Sequence, residues 1–137
     1  MNQFNKRSQI CGMYFLPISG AQIYNVPGSN IIKVRGEWVN LAISSGDFKE
    51  KDELGGIVEQ ELKAIVTDTG EDKAALIRDL IMNEGLVLIQ MTNGSRRVVG
   101  TEQFPVALSS ECGGSPMTQT LSFKRDSPEP AKILKSF

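Results

Sequence analysis

The chain has 137 residues, 40% of them hydrophobic, and its 15 Lys and Arg against 16 Asp and Glu give a net charge of -1. This length predicts one globular domain over residues 1–137, and the missing basic excess argues against a domain dedicated to binding nucleic acid. Because the sequence has no histidine, imidazole is excluded as a catalytic base or metal ligand.

The cysteines and the hydropathy exclude further classes. Cys11 and Cys112 lie far apart in the sequence and form no CxxC pair, so we expect neither a structural zinc site nor a disulfide framework. A reducing, intracellular setting is the default. No apolar run approaches the roughly 20 residues of a membrane-spanning helix, so no membrane association is expected.

The charge is unevenly distributed along the chain. Residues 46–84 hold eleven acidic and five basic side chains, a net charge of -6, which leaves a net charge of +5 for the remainder. One interpretation is that a solvated loop, strand and helix happen to be acidic. The other is that copies of the protein meet acidic face to basic face, because complementary potentials steer association and fix its register.

Short strands are predicted for the first part of the chain. Residues 1–9 form a polar N-terminal arm, and the β-forming residues 10–16 follow it as a strand. A second strand is expected over residues 22–26. In residues 31–43 the apolar alternation changes phase near Gly36, which predicts a bulge or bend there.

A loop, a strand and a helix are predicted next. Residues 44–56 have glycines near both ends and mixed charges between them, which predicts a long charged loop. Residues 57–67 alternate as a half-buried strand does. One helix is expected over about residues 70–84, with Gly85 as its left-handed C-terminal cap. Its predicted apolar stripe consists of Ala74, Ile77, Leu80 and Ile81.

The dipeptide Asn93-Gly94 between two apolar runs predicts a hairpin with a two-residue turn. In that register Gln90 faces Arg97 and Met91 faces Arg96, so the apolar pairs lie at the base of the hairpin and the polar pairs at a projecting tip. The two arginines point to opposite faces because they are adjacent on a strand. They are either the solvated end of a hairpin or a contact with acidic groups on another subunit.

The last part of the chain predicts a loop-rich passage, a strand over residues 117–125 and a C-terminal arm over residues 126–137. The arm contains two prolines and then the apolar residues Ile133, Leu134 and Phe137. Such an apolar end docks either on its own core or on a neighbour.

No catalytic arrangement emerges from the sequence. The pair Glu59/Glu61 fits a solvated strand face, and the Gly-Gly pairs lack the helix and the Lys-Ser/Thr sequence of a phosphate-binding loop. Ser109, Ser110 and Cys112 are possible nucleophiles, but no signature of an activating base accompanies them. We therefore expect no enzyme and assign no catalytic, cofactor-binding or metal-binding residues.

Two segments, AALIRDLIMNEGLVLIQMTNGSRRVVGTEQFPVAL (residues 74–108) and LSFKRDSPEPA (residues 121–131), carry a family resemblance. They resemble the small tail-associated, tail-tube-like structural proteins of tailed bacteriophages and prophages, especially of the Bacteroidetes type. In those proteins, too, a helix runs into a strand, an Asn-Gly turn, a strand ending at Gly-Thr, a short loop before Pro, and a closing Leu-Ser-Phe strand before a Pro-Ala segment.

This resemblance implies an α+β fold that is mainly antiparallel β, a two-sheet sandwich or barrel with one flanking helix. It also implies a virion structural protein, a tail-tube or tail-completion subunit, that self-assembles into stacked hexameric rings. The partners would be its own copies, other virion proteins, and DNA as non-specific cargo in the channel. Assembly would take place in the cytoplasm of the bacterial host. We expect the acidic strand over residues 58–67 to face the channel, since a negatively charged lumen repels the phosphates of DNA.

Subunit contacts are predicted in the charged loop, at the hairpin and in the C-terminal arm. The residues are Asp47, Phe48, Lys49, Glu50, Lys51, Asp52, Glu53, Arg96, Arg97, Ile133, Leu134 and Phe137. A helix-capped sandwich without partners would explain the same strands. Two other classes stay open: a β-barrel that binds single-stranded nucleic acid, which needs its arginines and aromatics in one groove, and a small enzyme with a pocket.

Overall fold

A computed structural model describes residues 10–26, 28–53, 55–66, 71–92, 94–101, 103–113, 118–128 and 130–135. In these residues one α-helix, α1, covers Glu71–Ile81, and one turn of 3-10 helix covers Ile18–Gly20. The strands are β1 (Ile10–Pro17), β2 (Gln22–Asn25), β3 (Ile31–Arg35), β4 (Val39–Asn40), β5 (Ser45–Glu53), β6 (Ile57–Val66), β7 (Gly85–Met91), β8 (Arg96–Val99), β9 (Ser109–Gly113), β10 (Thr118–Ser127) and β11 (Lys132–Lys135).

The strands form two sheets. The first has seven strands in the order β2-β3-β11-β8-β7-β1-β4, and the second has four in the order β5-β6-β10-β9. Neighbouring strands are antiparallel except β11 and β3, which run parallel. The predicted class is confirmed: the protein is α+β, mostly antiparallel, with two sheets and one helix.

The first sheet buries apolar side chains on both faces. Its outer face, which carries Phe15 and Ile89, packs with Leu62 and Leu121 of the second sheet in one core. The opposite, inner face carries a second cluster made only of residues from the first sheet and its loops. A sheet buries one of its own faces in this way only if it curls, and it forms a half-barrel. The second cluster is centred on Leu16, Ile32, Val34, Leu86, Leu88 and Val98.

Helix α1 packs on the first core through the part of the predicted stripe from Ile77 to Ile81. Ile77 is fully buried, and Leu80 and Ile81 are half-buried against the core. The prediction that Gly85 caps the C-terminus of the helix is wrong, because the helix ends at Ile81 and Gly85 is the first residue of β7. A methyl group on Gly85 would overlap the backbone oxygen of Leu16, so close packing of the strands requires this glycine.

The prediction of a long charged loop over residues 44–56 is wrong. Most of this segment is strand β5, which pairs along its length with β6. Phe48 faces Leu62 on the core side, while Lys49 faces Glu61 on the other side. Opposite charges across two strands stabilise a sheet. The sequence concealed the alternation because a charged residue, Glu50, also occupies a core-side position.

The hairpin of β7 and β8 has a register one residue away from the prediction. Gln90 faces Arg96 and Ile89 faces Arg97. The amide of Gly94 donates to the Met91 oxygen at 3.0 Å, the Met91 amide donates to the Ser95 oxygen at 2.9 Å, and Gly94 has a φ of 91°. These features define a three-residue loop with one left-handed glycine. Both strands also have a second neighbour, β1 or β11, so the hairpin is central rather than projecting.

The predicted C-terminal arm, residues 126–137, is largely sheet. Residues 126 and 127 end β10, and β11 lies between β3 and β8. Phe137 and the N-terminal arm, residues 1–9, lie outside the described residues. The bend predicted near Gly36 is confirmed, since β3 ends at Arg35 and β4 pairs with β1 elsewhere in the sheet.

Candidate contact surfaces

A row of three residues crosses the outer face of the first sheet. Ile133 of β11 pairs with Ile31 of β3 on one side and with Arg97 of β8 on the other. Paired residues point to the same face of a sheet. The structure thus brings together Arg97 and Ile133, two predicted contact residues from separate segments.

This row belongs to a larger exposed area. Tyr24, Val26 and Ile31 are 70%, 66% and 39% exposed. Lys33 faces Tyr24 across the β2–β3 pair, and Arg35 faces Gln22. We call this area the outer patch, defined by Tyr24, Val26, Ile31, Lys33, Arg35, Arg97 and Ile133. The second sheet covers the outer face at β1 and β7, whereas here large apolar side chains face solvent.

The outer patch has a single sign of charge. Outer-face positions on the three strands β2, β3 and β11 hold no acidic residue. Lys33 and Arg97 form no ion pair with any described residue. Within a protein of net charge -1, this face is therefore locally basic. The outer-face positions are Gln22, Tyr24, Ile31, Lys33, Arg35, Ile133 and Lys135.

The second sheet turns a face of mixed charge to solvent, which we call the charged face. Lys49 of β5, Glu61 of β6 and Lys124 of β10 form one cross-strand row. Asp47 faces Lys63 in the next row. An open cavity of about 770 Å³ lies over these rows. Lysines thus alternate with the carboxylates of β6, so this strand does not present the uniformly negative surface that a DNA-repelling lumen requires.

The far end of this sheet, at the turn between β5 and β6, holds two carboxylates and one lysine in its last full row. Glu59 lies there between Lys51 and Asp126. Ile57, the first residue of β6, is 41% exposed there. We call this region the acidic end, defined by Lys51, Ile57, Glu59 and Asp126.

A polar network occupies the core side of the second sheet near this end. Gln60, fully buried, donates through Nε2 to Glu50 Oε2 at 2.9 Å and accepts from Arg125 Nε at 3.0 Å. Glu50 Oε2 also accepts from the Ala131 amide at 2.7 Å. Arg125 Nη1 donates to the oxygens of residues 104 and 105 at 2.8 and 2.9 Å.

Desolvation by burial lowers the pKa of the Arg125 guanidinium, which nevertheless stays protonated at neutral pH because its usual value is so high. The guanidinium and the Glu50 carboxylate are held to the same amide, that of Gln60. The network therefore ties the turn before β9 to strands β10, β6 and β5 and to Ala131, the residue before β11.

The structure divides the predicted contact residues. Phe48 packs against the core, and the Oε2 of the exposed Glu50 is hydrogen-bonded within the network. Leu134 packs in the inner cluster, and Arg96 is exposed at the inner side beside Gln90. Asp47, Lys49 and Lys51 are exposed on the second sheet, whereas the side chains of Asp52 and Glu53 and all of Phe137 lie outside the described part.

Sequence reasoning missed the other half of the outer patch. The sequence pattern predicts Tyr24, Ile31 and Lys33 only as parts of short strands. The signal was present in the sequence, because β2 and β3 carry apolar residues in both phases of the alternation, Ile23 with Tyr24 and Ile31 with Ile32. Apolar residues in both phases predict a strand with contacts on both faces.

Lys132 lies on the inner face of the first sheet, opposite the outer patch. Its side chain is 2% exposed, and its ammonium donates to Asn25 Oδ1 and to the Val26 oxygen, the latter at 3.2 Å. A buried ammonium is retained only where it is hydrogen-bonded. This contact ties β11 to the end of β2 and so fixes the two strands that carry Ile133 and Tyr24.

Within the described ranges, no group of three or more His, Cys, Asp or Glu side chains is arranged to hold a metal ion. In the same part of the chain, no helix is both long enough and apolar enough to cross a bilayer. Cys11 is exposed and has a free thiol.

No protein-family model matches the chain, and no curated protein and no solved structure matches it. The resemblance to phage tail proteins therefore stays a prediction that rests on the sequence pattern.

Proposed function

We propose that the protein is a structural subunit that assembles with copies of itself through the outer patch. The observation that carries the proposal is the uncovered half of the outer face, where Tyr24, Val26 and Ile31 are exposed side by side with basic residues. A contiguous exposed apolar area on a soluble protein marks an interaction surface. The proposal assigns no catalytic residue, cofactor or metal.

The arrangement of the sheet supports assembly over a solitary domain. Where the outer face of a strand meets only water, polar residues are expected in that phase. In that phase the strands β2, β3 and β11 instead place the large apolar side chains of Tyr24, Ile31 and Ile133 among the charged ones. The long stems of Lys and Arg cover apolar surface well and are suited to the edge of an interface.

The finer assignment follows from the sequence resemblance. It makes the assembly a ring or tube around a DNA channel, built as a tail-tube or tail-completion subunit of a virion, with hexameric rings and other virion proteins as neighbours. Two sheets with a flanking helix are the architecture expected for that group, and this fold supports the assignment.

The test is the state of the purified protein in solution. Light scattering over a concentration series, with negative-stain microscopy of the same samples, should show rings or tubes that form as concentration rises. The double variant Tyr24→Ser/Ile31→Thr should stay monomeric. The matched control Leu76→Ser/Met82→Ser removes two exposed apolar side chains from the helix region and should assemble normally. A wild-type protein that is monomeric at its solubility limit would refute the proposal.

One observation favours a second candidate, a module that binds single-stranded nucleic acid. Tyr24, Lys33 and Arg97 share a face, and an aromatic ring beside cations suits a base and its phosphates. Tyr24 is, however, the one aromatic among the outer-patch residues, whereas such sites stack successive bases. Fluorescence anisotropy with a labelled oligonucleotide distinguishes the two: salt-sensitive binding that Tyr24→Ala abolishes would establish the module.

A further inference from the structure

We infer that the outer patch of one copy docks on the acidic end of another, so that assembly joins two unlike surfaces. This inference rests on the proposed function and specifies its contact. The acidic end carries Glu59 and Asp126 against the single Lys51, whereas the outer-face positions of β2, β3 and β11 carry basic and no acidic residues. Opposite potentials steer two such surfaces together and set their orientation.

The two surfaces also match in their apolar content. The acidic end exposes Ile57, and the outer patch exposes Tyr24 and Ile31. An interface commonly has an apolar centre with a polar, charged rim. With Ile57 against the Tyr24–Ile31 area, Glu59 and Asp126 come within reach of Lys33 and Arg97.

The contact cannot be made within one copy. Glu59 and Asp126 alternate along their strands with the buried residues Val58 and Ser127, so their side chains point away from the core that joins the two sheets. The outer patch lies on the first sheet, on the face that looks towards that core. The acidic side chains therefore face solvent, and they can meet an outer patch only on a second molecule.

A contact between unlike surfaces leaves one surface of each kind unoccupied, one at either end of the assembly, until the arrangement closes. Repeated by a fixed rotation it gives a ring, and without closure it gives a filament. Assembly through this contact needs no twofold axis, and it weakens with rising salt because exposed charges are screened.

Charge reversal tests the inference on the full chain. Lys33→Glu changes the outer patch, and Asp126→Lys changes the acidic end; both side chains are exposed. Each variant alone should raise the concentration needed for assembly about tenfold at low salt. An equimolar mixture should assemble near the wild-type concentration, because reversed patches then meet reversed acidic ends. The controls are Lys63→Glu and Glu111→Lys, exposed residues away from both surfaces, which should assemble as the wild type does.

The outcomes separate the two proposals. A monomeric wild type removes the proposed function and this inference together. Assembly that neither reversal weakens, or that weakens without rescue in the mixture, overturns the inference and leaves self-assembly standing. Rescue by mixing supports it. Circular dichroism verifies the fold of each variant. If a charge-reversal variant does not fold, the neutral change Lys33→Gln or Asp126→Asn replaces it and should give a smaller effect in the same direction. Lys33-dependent binding of single-stranded DNA by a monomer would also overturn it.

Discussion

The side chains of Arg125 and Gln60 meet within the second sheet, where Arg125 Nε donates a hydrogen bond to Gln60 Oε1 at 3.0 Å. Gln60 Nε2 in turn donates a hydrogen bond to Glu50 Oε2. Replacing Gln60 with Leu keeps the volume and leaves a guanidinium and a carboxylate each short of a partner. We expect the free energy of unfolding, measured in urea, to fall by about 3 kcal/mol.

Gln119 is the matched control for this change. It is also fully buried, but its Oε1 finds no hydrogen-bond partner in the described structure, and only its Nε2 donates, to Ser110 Oγ at 2.9 Å. Gln119→Leu removes an unpaired acceptor, so stability should stay within about 1 kcal/mol of the wild type or rise. Equal losses for the two variants would show that the network adds nothing beyond burial.

Gly85→Ala should destabilise the protein by about 3 kcal/mol, since overpacking at a rigid site costs this much. The added methyl group would lie 2.9 Å from the Leu16 carbonyl carbon and from Phe15 Cζ, in addition to overlapping the Leu16 oxygen. Thermal unfolding followed by circular dichroism measures the effect. Gly20→Ala is the control, because a methyl group at Gly20 meets nothing within 4 Å; a comparable loss there would contradict the steric explanation.

Ala42→Gly should stabilise the protein. Ala42 is the one non-glycine residue with a positive φ, 53°, in the described ranges, and its amide donates to Asn40 Oδ1 at 2.8 Å. The left-handed conformation costs alanine about 1 kcal/mol, and the greater freedom of glycine in the unfolded chain offsets part of the gain, so a net gain of about 0.5 kcal/mol is expected in urea melts. Ala107→Gly, at an exposed site without positive φ, should instead lower the stability. A loss of stability at both sites would contradict the explanation that Ala42 is strained.

Lys132 and Asn25 should be energetically coupled. Lys132→Met removes the donor to Asn25, and Asn25→Leu removes an acceptor from a buried ammonium. Each single change should destabilise by about 2 kcal/mol, and the double variant should be less destabilised than the sum of the two by about 1 kcal/mol. A double-mutant cycle in urea measures this difference. Strict additivity would mean that the contact carries no net stabilisation.

Local patterns were enough to predict the parts of the fold that depend on near neighbours in sequence. The strand at residues 10–16, the alternation after residue 57 and the helix stripe through Ile77 are all confirmed. Strand β5 escaped prediction because its core-side positions include Glu50, whose partners, Gln60 and the amide of Ala131, come from other strands and from the start of β11. No local pattern shows such a partner.

The register of the hairpin and the place of β11 were missed for different reasons. The Asn-Gly pair fits both a two-residue and a three-residue loop, so the sequence around the turn does not decide between the two registers. The insertion of β11 between β3 and β8 depends on residues about a hundred positions away. For the same reason, Arg97 and Ile133 were each proposed for contacts without any sign that they are neighbours.

The central position of β11 determines the order in which the first sheet can be completed during synthesis. Strands β3 and β8 each pair with β11 and not with one another. Until residues 132–135 have left the ribosome, the hairpin of β2 and β3 and the group of β8, β7, β1 and β4 are separate units with open edges. Open edges in an incomplete sheet invite pairing with other chains. The nascent chain is therefore more prone to aggregation before β11 emerges than after it.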